Sequence, residues 1–80
     1  MNNRIRVDFN GKFYSARAVK RSAYDYKGVA DTEVKIGKRN IVVFLYNFDE
    51  GLSEKIGDEF ANYVLFIEGT LGNEKASKVK

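Results

Sequence analysis

Three carboxylates, those of Glu54, Asp58 and Glu59, stand at spacings that fit the first turns of a helix. A pair of acids on one helix face can transfer protons or hold a hard cation. Acidic side chains are also favoured near a helix N-terminus by the helix dipole, without any catalytic role. Nothing in the sequence indicates that these acids are buried, so we favour the structural interpretation.

Other chemistry is limited by which residue types the chain contains. Its 80 residues include no His and no Cys. Imidazole and thiolate metal sites, Ser-His or Cys-His nucleophile pairs and disulfide bonds are therefore excluded. The segment "IGKRN" contains Gly-Lys but lacks the other residues of a phosphate-binding loop, and it is predicted to be a turn. We predict no enzyme activity, no metal and no cofactor.

A group of basic residues is predicted to share the outer face of a helix. Such a face, interleaved with a tyrosine, can bind phosphates and stack a base, or attract an acidic protein, but an ordinary solvated helix face has the same pattern. Residues 1–40 hold ten Lys/Arg against four Asp/Glu, and residues 41–80 hold four against seven. Because this division suits two complementary surfaces of one domain, we favour the solvated face over nucleic-acid binding. The residues are Arg17, Lys20, Arg21, Tyr24 and Lys27.

The elements that position these residues follow from the apolar pattern of the first half. "RIRVDF" alternates as a half-buried strand does, and Asn10-Gly11 predicts a type I′ turn that leads into a short partner strand at 12–14. Ser15 is predicted to be the N-cap of a helix from about Ala16 to Lys27, with Gly28 just past its end.

Two strands and a second helix are predicted in the rest of the chain. "DTEVKIG" and "NIVVFLY" are joined by a turn at 37–40, and the latter is apolar on both faces, as a central strand is. The second helix is predicted to begin at Leu52 or Ser53 and to run to about Glu68, with Gly69 or Gly72 as its stop. The remainder, 73–80, is predicted to be a disordered basic tail.

These elements predict an α+β fold, a small two-layer sandwich. Its order is strand, short strand, helix, strand, strand, helix. The sheet is expected to be antiparallel with three to four strands, with both helices on one face and 41–46 in the centre. One domain, 1–72, accounts for the fold.

A two-layer sandwich leaves two apolar surfaces without a cover. The outward side of strand 41–46 and the outer side of the second helix both carry large apolar side chains, and patches of this kind usually bind partners. We predict contact with a protein or peptide partner, or with a second copy in a homodimer. The predicted contact residues are Val42, Phe44 and Tyr46 on the sheet, and Lys55, Asn62, Leu65 and Phe66 on the helix.

"FNGKFYSARAVKRSAYDY" and "DEFANYVLFIE" together resemble the HxsD-like family of the His-Xaa-Ser peptide-modification system. The resemblance covers most of residues 5–68 and includes the Phe60-Ala61-Asn62-Tyr63 stretch. It implies a non-catalytic accessory protein that works beside radical enzymes and presents a ribosomally made peptide to them. A nucleic-acid-binding module and a purely structural homodimer are the alternatives.

The location of the protein is predicted from what its segments lack. The first residues, "MNNRIRVDF", contain no apolar core of a signal peptide, and no run of eighteen uncharged apolar residues occurs. The sequence therefore predicts a cytoplasmic protein that does not enter a membrane.

Overall fold

The computed structural model describes the backbone of residues 4–79 and the side chains of 4–71. The described residues form three strands and two α-helices, and two short 3₁₀ turns, Tyr26–Gly28 and Glu50–Leu52, follow the first helix and precede the second. The α-helices and strands are β1 (Arg4–Asn10), α1 (Ala16–Asp25), β2 (Asp31–Ile36), β3 (Asn40–Tyr46) and α2 (Ile56–Val79).

The three strands form one antiparallel sheet in the order β1-β3-β2. Val43 of β3 lies opposite Val7 of β1 and Val34 of β2, which fixes the register on both sides. The prediction that the strand with two apolar faces lies in the centre is therefore confirmed. Its inner side chains are buried, whereas Val42, Phe44 and Tyr46 on the outer face are half-buried, because successive residues of a strand point to opposite faces.

Both helices pack on the same face of the sheet, as predicted. The inner row of β3, Ile41, Val43 and Leu45, belongs to one core cluster with Val19 of α1 and Phe60 of α2. A second, smaller cluster lies between the helices, where Ala18 meets Ile67 and Leu71. The small side chain of Ala18 lets the helices approach each other beside the sheet.

The N-terminus of α1 is held by two residues from different parts of the chain. Ser15 is the N-cap, as predicted, and its Oγ accepts a hydrogen bond from the amide of Ala18 at 3.1 Å. The Glu68 carboxylate accepts from the Ser15 amide at 2.9 Å and from its hydroxyl at 3.2 Å. In a capping box, the acid that bonds the N-cap amide stands three residues after the cap. Here that position is the buried Ala18, and α2 supplies the acid instead.

The predicted short strand at 12–14 is wrong. Asn10 ends β1 with its side chain accepting from the Lys12 amide at 2.8 Å, and its carbonyl accepts from the amides of Phe13 and Tyr14. No residue with positive φ occurs at 10–11, so the type I′ turn is absent too. The amides that a partner strand would have used are already bonded to Asn10.

The predicted helix ends also differ from the structure. Helix α1 ends at Asp25 and continues only as a 3₁₀ turn, and Gly28 does not adopt the positive φ of a helix-ending glycine. Helix α2 begins at Ile56, because Glu50–Leu52 forms a 3₁₀ turn whose first amides are capped by Asp49.

The far end of α2 passes both glycines that were predicted to stop it. The backbone is helical to Val79, including 73–79 of the segment that was predicted to be a disordered tail. Side chains beyond Leu71 lie outside the described residues.

Adjacent valines of β3 provide a matched test of the two sheet faces. Val43 is completely buried between sheet and helices, whereas Val42 is only half-buried on the open face. We expect Val43→Ala to lower the free energy of unfolding by about 2–3 kcal/mol and Val42→Ala by less than about 1 kcal/mol. Urea titrations of both variants would measure this, and equal losses would contradict the assignment of the faces.

Candidate functional site

The outer side of α2 carries the most exposed of the residues that were predicted to contact a partner. Leu65 and Phe66 keep 57% and 66% of their surface exposed, as predicted from their place on the outer side of the second helix. Asn62 is exposed one helical turn before Phe66, and Gly69 is exposed one turn after Leu65. We call Asn62, Leu65, Phe66 and Gly69 the α2 surface.

Lys55 lies at the beginning of the α2 surface rather than within it. It precedes α2, and its carbonyl accepts a hydrogen bond from the amide of Glu59 at 2.9 Å. Its spacing of seven residues from Asn62 places both on the same side of the helix. The exposed lysine therefore stands two turns from Asn62, as a rim residue would.

A continuous row of aromatic rings connects the core to the α2 surface. Phe60, fully buried, lies edge-on to Phe9 of β1 and to Tyr26 after α1, with ring centroids 6.0 and 5.0 Å apart. Tyr26 then contacts Tyr63 at 5.6 Å, and Tyr63 contacts Phe66 at 6.1 Å. Phe66 is thus the exposed end of a packed row, and its inner side is supported by Tyr63.

Tyr63 is also fixed by a strong polar contact with α1. Its hydroxyl donates to the Asp25 carboxylate at 2.6 Å, which joins the end of α1 to the middle of α2. This hydrogen bond, more than burial, raises the pKa of the Tyr63 phenol, because ionisation would remove the donated proton next to a negative charge. The pKa of Tyr26 is also raised, mainly by burial of the phenol and secondly by the negative charge of Glu59.

Two glycines of α2 have opposite surroundings. A Cβ atom at Gly57 would lie 3.2 Å from a methyl carbon of Ile5 and 3.7 Å from one of Val7, so the close approach of α2 to β1 explains this glycine. A Cβ atom at Gly69 would have no neighbour within 4 Å. Packing within the described part of the chain therefore gives no reason for a glycine at 69.

The open face of the sheet is covered more than the sequence suggested. Val42, Phe44 and Tyr46 point away from the helices, as predicted, but all three are half-buried. The Arg4 guanidinium lies 4.4 Å from the Phe44 ring centre, and it pairs with Glu33 of the opposite edge strand at 2.9 Å. Long charged side chains from both edge strands therefore lie over the apolar row.

The basic residues predicted on the first helix are all exposed. Lys27 lies in the 3₁₀ turn after α1, and its ammonium sits 4.4 Å from the centre of the Tyr24 ring. One face of the ring that could have stacked a base is thus occupied by a cation of the same chain. The positive charge of Arg21 partly opposes the rise in the pKa of Tyr63, so this one basic side chain lies near the aromatic row. The members are Arg17, Lys20, Arg21, Tyr24 and Lys27.

The three carboxylates that could have formed an acid pair do not converge. Glu54 and Asp58 line a groove beside β1, whereas Glu59 lies on the side of Tyr26. Within residues 4–71, no group of three or more acidic side chains is arranged to hold a metal ion.

The structure also assembles two features that no pattern in the sequence predicted. One is the groove beside β1, with a volume of about 390 Å³. The other is an open hollow of about 560 Å³ between the 10–15 and 37–40 loops, lined by Asn10, Lys12, Lys38 and Arg39. The Gly11 amide holds these loops together through a 2.9 Å hydrogen bond to the Arg39 carbonyl. Each feature depends on segments that are far apart in sequence.

The chain matches no family model, no curated protein and no solved structure. The resemblance to the HxsD-like family thus stays a prediction. Within the described helices, none is both long and apolar enough to cross a membrane.

The raised pKa values of Tyr26 and Tyr63 predict a loss of stability at alkaline pH. A raised folded-state pKa gives stability that is complete below the unfolded pKa of about 10 and is lost as the pH rises through the folded value. We expect the free energy of unfolding to fall from about pH 9 upward, and Tyr63→Phe to flatten this fall. Urea titrations across the pH range would measure it, with Tyr24→Phe, on the exposed face of α1, as the control. A Tyr63→Phe profile parallel to that of the wild type would contradict the assignment.

Proposed function

We propose that this protein is a non-catalytic binding protein, and that its α2 surface packs against a helix of another protein. The observation that carries the proposal is the exposed Gly69 beside Leu65 and Phe66.

The glycine supports close contact with a partner. Glycine inside a helix costs about 1 kcal/mol relative to alanine. At Gly57 this cost is offset by the close packing of α2 on β1 that the missing side chain permits, but Gly69 has no such neighbour. A helix that crosses α2 at Gly69 would make the same use of the missing side chain, because a small residue lets two backbones approach closely.

The two apolar side chains supply the free energy of such a contact. Burial of a Leu or Phe side chain contributes about 1.5–3 kcal/mol. Phe66 is already held by the aromatic row through Tyr63, so little side-chain entropy is lost when a partner covers it. Asn62 would donate or accept hydrogen bonds across the interface, with Lys55 at its rim.

The resemblance to HxsD-like proteins suggests a setting for this contact. In that setting the protein works in the cytoplasm, beside radical enzymes that modify a ribosomally made peptide, and the partner is one of those enzymes or the peptide itself. A structural homodimer through the α2 surface is the alternative within the same interface.

Nucleic-acid binding is the alternative from a different class. Its support is the exposed basic face of α1 and the following 3₁₀ turn, where four Lys or Arg side chains lie near Tyr24 in the sequence. Lys27 already occupies one side of that ring, and Asp25 lies on the same helix. We therefore favour the protein partner.

A pair of aromatic variants separates the two classes. Phe66 and Tyr24 are both 66% exposed, one on each helix. We expect Phe66→Ser, alone or with Leu65→Asp, to abolish co-purification of partners from the native host, or self-association in light scattering, while Tyr24→Ser retains them. The reverse result, together with oligonucleotide binding that Tyr24→Ser weakens, would support the nucleic-acid alternative. Circular dichroism establishes that each variant is folded.

Gly69→Ala tests the contact without removing an apolar side chain. The isolated protein should become more stable by about 1 kcal/mol, because alanine is the better helix former and its Cβ has free space. The added methyl group should nevertheless weaken association by about tenfold or more, since a helix in close contact has no room for it. Greater stability with unchanged association would show that no helix crosses at Gly69.

A further inference from the structure

The outer edge of β1 presents backbone groups that are free of the sheet. The Gly11 amide donates to the Arg39 carbonyl, and the register continues from this pair through Phe9 opposite Ile41. In an antiparallel ladder, hydrogen-bonded residues alternate with residues whose amide and carbonyl point the other way. The backbone groups of Val7 therefore point to β3.

The same alternation places the amides and carbonyls of Arg6 and Asp8 on the outer side of β1. The Asn10 carbonyl agrees with this phase, since it turns away from β3 to accept from Phe13 and Tyr14. β1 pairs only with β3 in the described sheet. A strand edge of this kind can hydrogen-bond an additional strand.

A groove runs between this edge and the beginning of α2. Ile5 and Val7, both half-buried, form its apolar floor, and Gly57 and Ala61 form its helix wall without large side chains. Its volume of about 390 Å³ leaves room on the helix side for the side chains of an added strand.

The groove is negatively charged, although the chain as a whole carries a formal charge of +3. The residues that line it include three acidic ones, Asp8, Glu54 and Asp58, and one basic one, Arg6. Arg6 is already paired with Asp8 at 2.8 Å. The carboxylates of Glu54 and Asp58 remain to attract a ligand of positive charge.

We propose that the edge of β1 and this groove bind an extended segment of a partner that carries basic side chains. The segment adds a fourth strand, bonded to the backbone of Arg6 and Asp8, and its basic side chains lie near Glu54 and Asp58. This site goes beyond the proposed function, because it uses a sheet edge and does not include the α2 surface.

Charge distinguishes this occupant from a second copy of the chain. If two copies joined through their β1 edges, the sheet would continue and both α2 helices would lie on the same face beside the junction. Glu54 and Asp58 of each copy would then face those of the other, which is unfavourable for like charges. A basic segment replaces this repulsion with attraction.

The probe for the experiment is a blocked peptide of alternating lysine and valine, as long as β1. It is titrated into isotope-labelled protein, and amide hydrogen exchange is followed by NMR. We expect the amides of Arg6 and Asp8 to gain protection, while the Val7 amide, already bonded to β3, changes little. Protection elsewhere, or none at saturating peptide, would overturn the proposal.

Two N-methylated peptides provide the matched control. One is methylated on the backbone amide nitrogen of every lysine and the other on that of every valine, so the two peptides carry equal charge. Because amides of a strand alternate in direction, one peptide should bind about tenfold more weakly or worse and the other should retain binding. Equal behaviour of the two peptides would exclude strand addition.

Variants of the protein complete the test. Arg6→Pro removes an outward amide that the sheet does not use, and Arg6→Ala is its control. We expect only the proline variant to lose strand addition. We expect the double variant Glu54→Gln/Asp58→Asn to bind the lysine-valine peptide more weakly in low salt while the fold stays intact. Protection of the Arg6 and Asp8 amides without peptide, together with a dimer in light scattering, would identify a second copy as the occupant and overturn the proposal.

Discussion

The packing of Phe60 against the inner face of the sheet is the interaction on which the rest of this structure depends. Its ring is fully buried and lies edge-on to rings from β1 and from the turn after α1. One side chain of α2 therefore joins the sheet to both helices. Because a chain of this size has one main core, the other elements pack around this contact.

Two polar contacts fix how the helices lie on that core. Glu68 bonds the amide and hydroxyl of Ser15 at one end of α1, and Tyr63 donates to Asp25 at the other. Both side chains of α2 act on the ends of α1, where backbone or charged groups need partners. The antiparallel alignment of the helices is thus specified by polar groups. The apolar cluster around Ala18 contributes the buried apolar surface between them.

The features that depend on local pattern were predicted from the sequence. Alternation predicted the inner and outer rows of β3, and helical spacing predicted that Leu65 and Phe66 are exposed. The predictions were wrong where a residue bonds to a different group from the one that its local pattern suggests, or where the helix continues through a residue that often ends one. Asn10 bonds the amides of the following turn instead of entering a hairpin, and α2 continues through Gly69. The groove beside β1 and the row of rings that supports Phe66 combine segments distant in sequence, so no local pattern indicated them.

The strand order has a consequence for how the chain folds during its synthesis. Of the three strands β1 is synthesised first, but its partner β3 is made only after α1 and β2. β2 and β3, joined by a short turn, can pair as soon as both have emerged, whereas β1 must close a long loop to reach the far side of β3. Until then, neither edge of β1 is paired, and its alternating apolar row is exposed to other chains in the cell. The charged residues Arg4, Arg6 and Asp8 between these apolar positions limit aggregation during this interval.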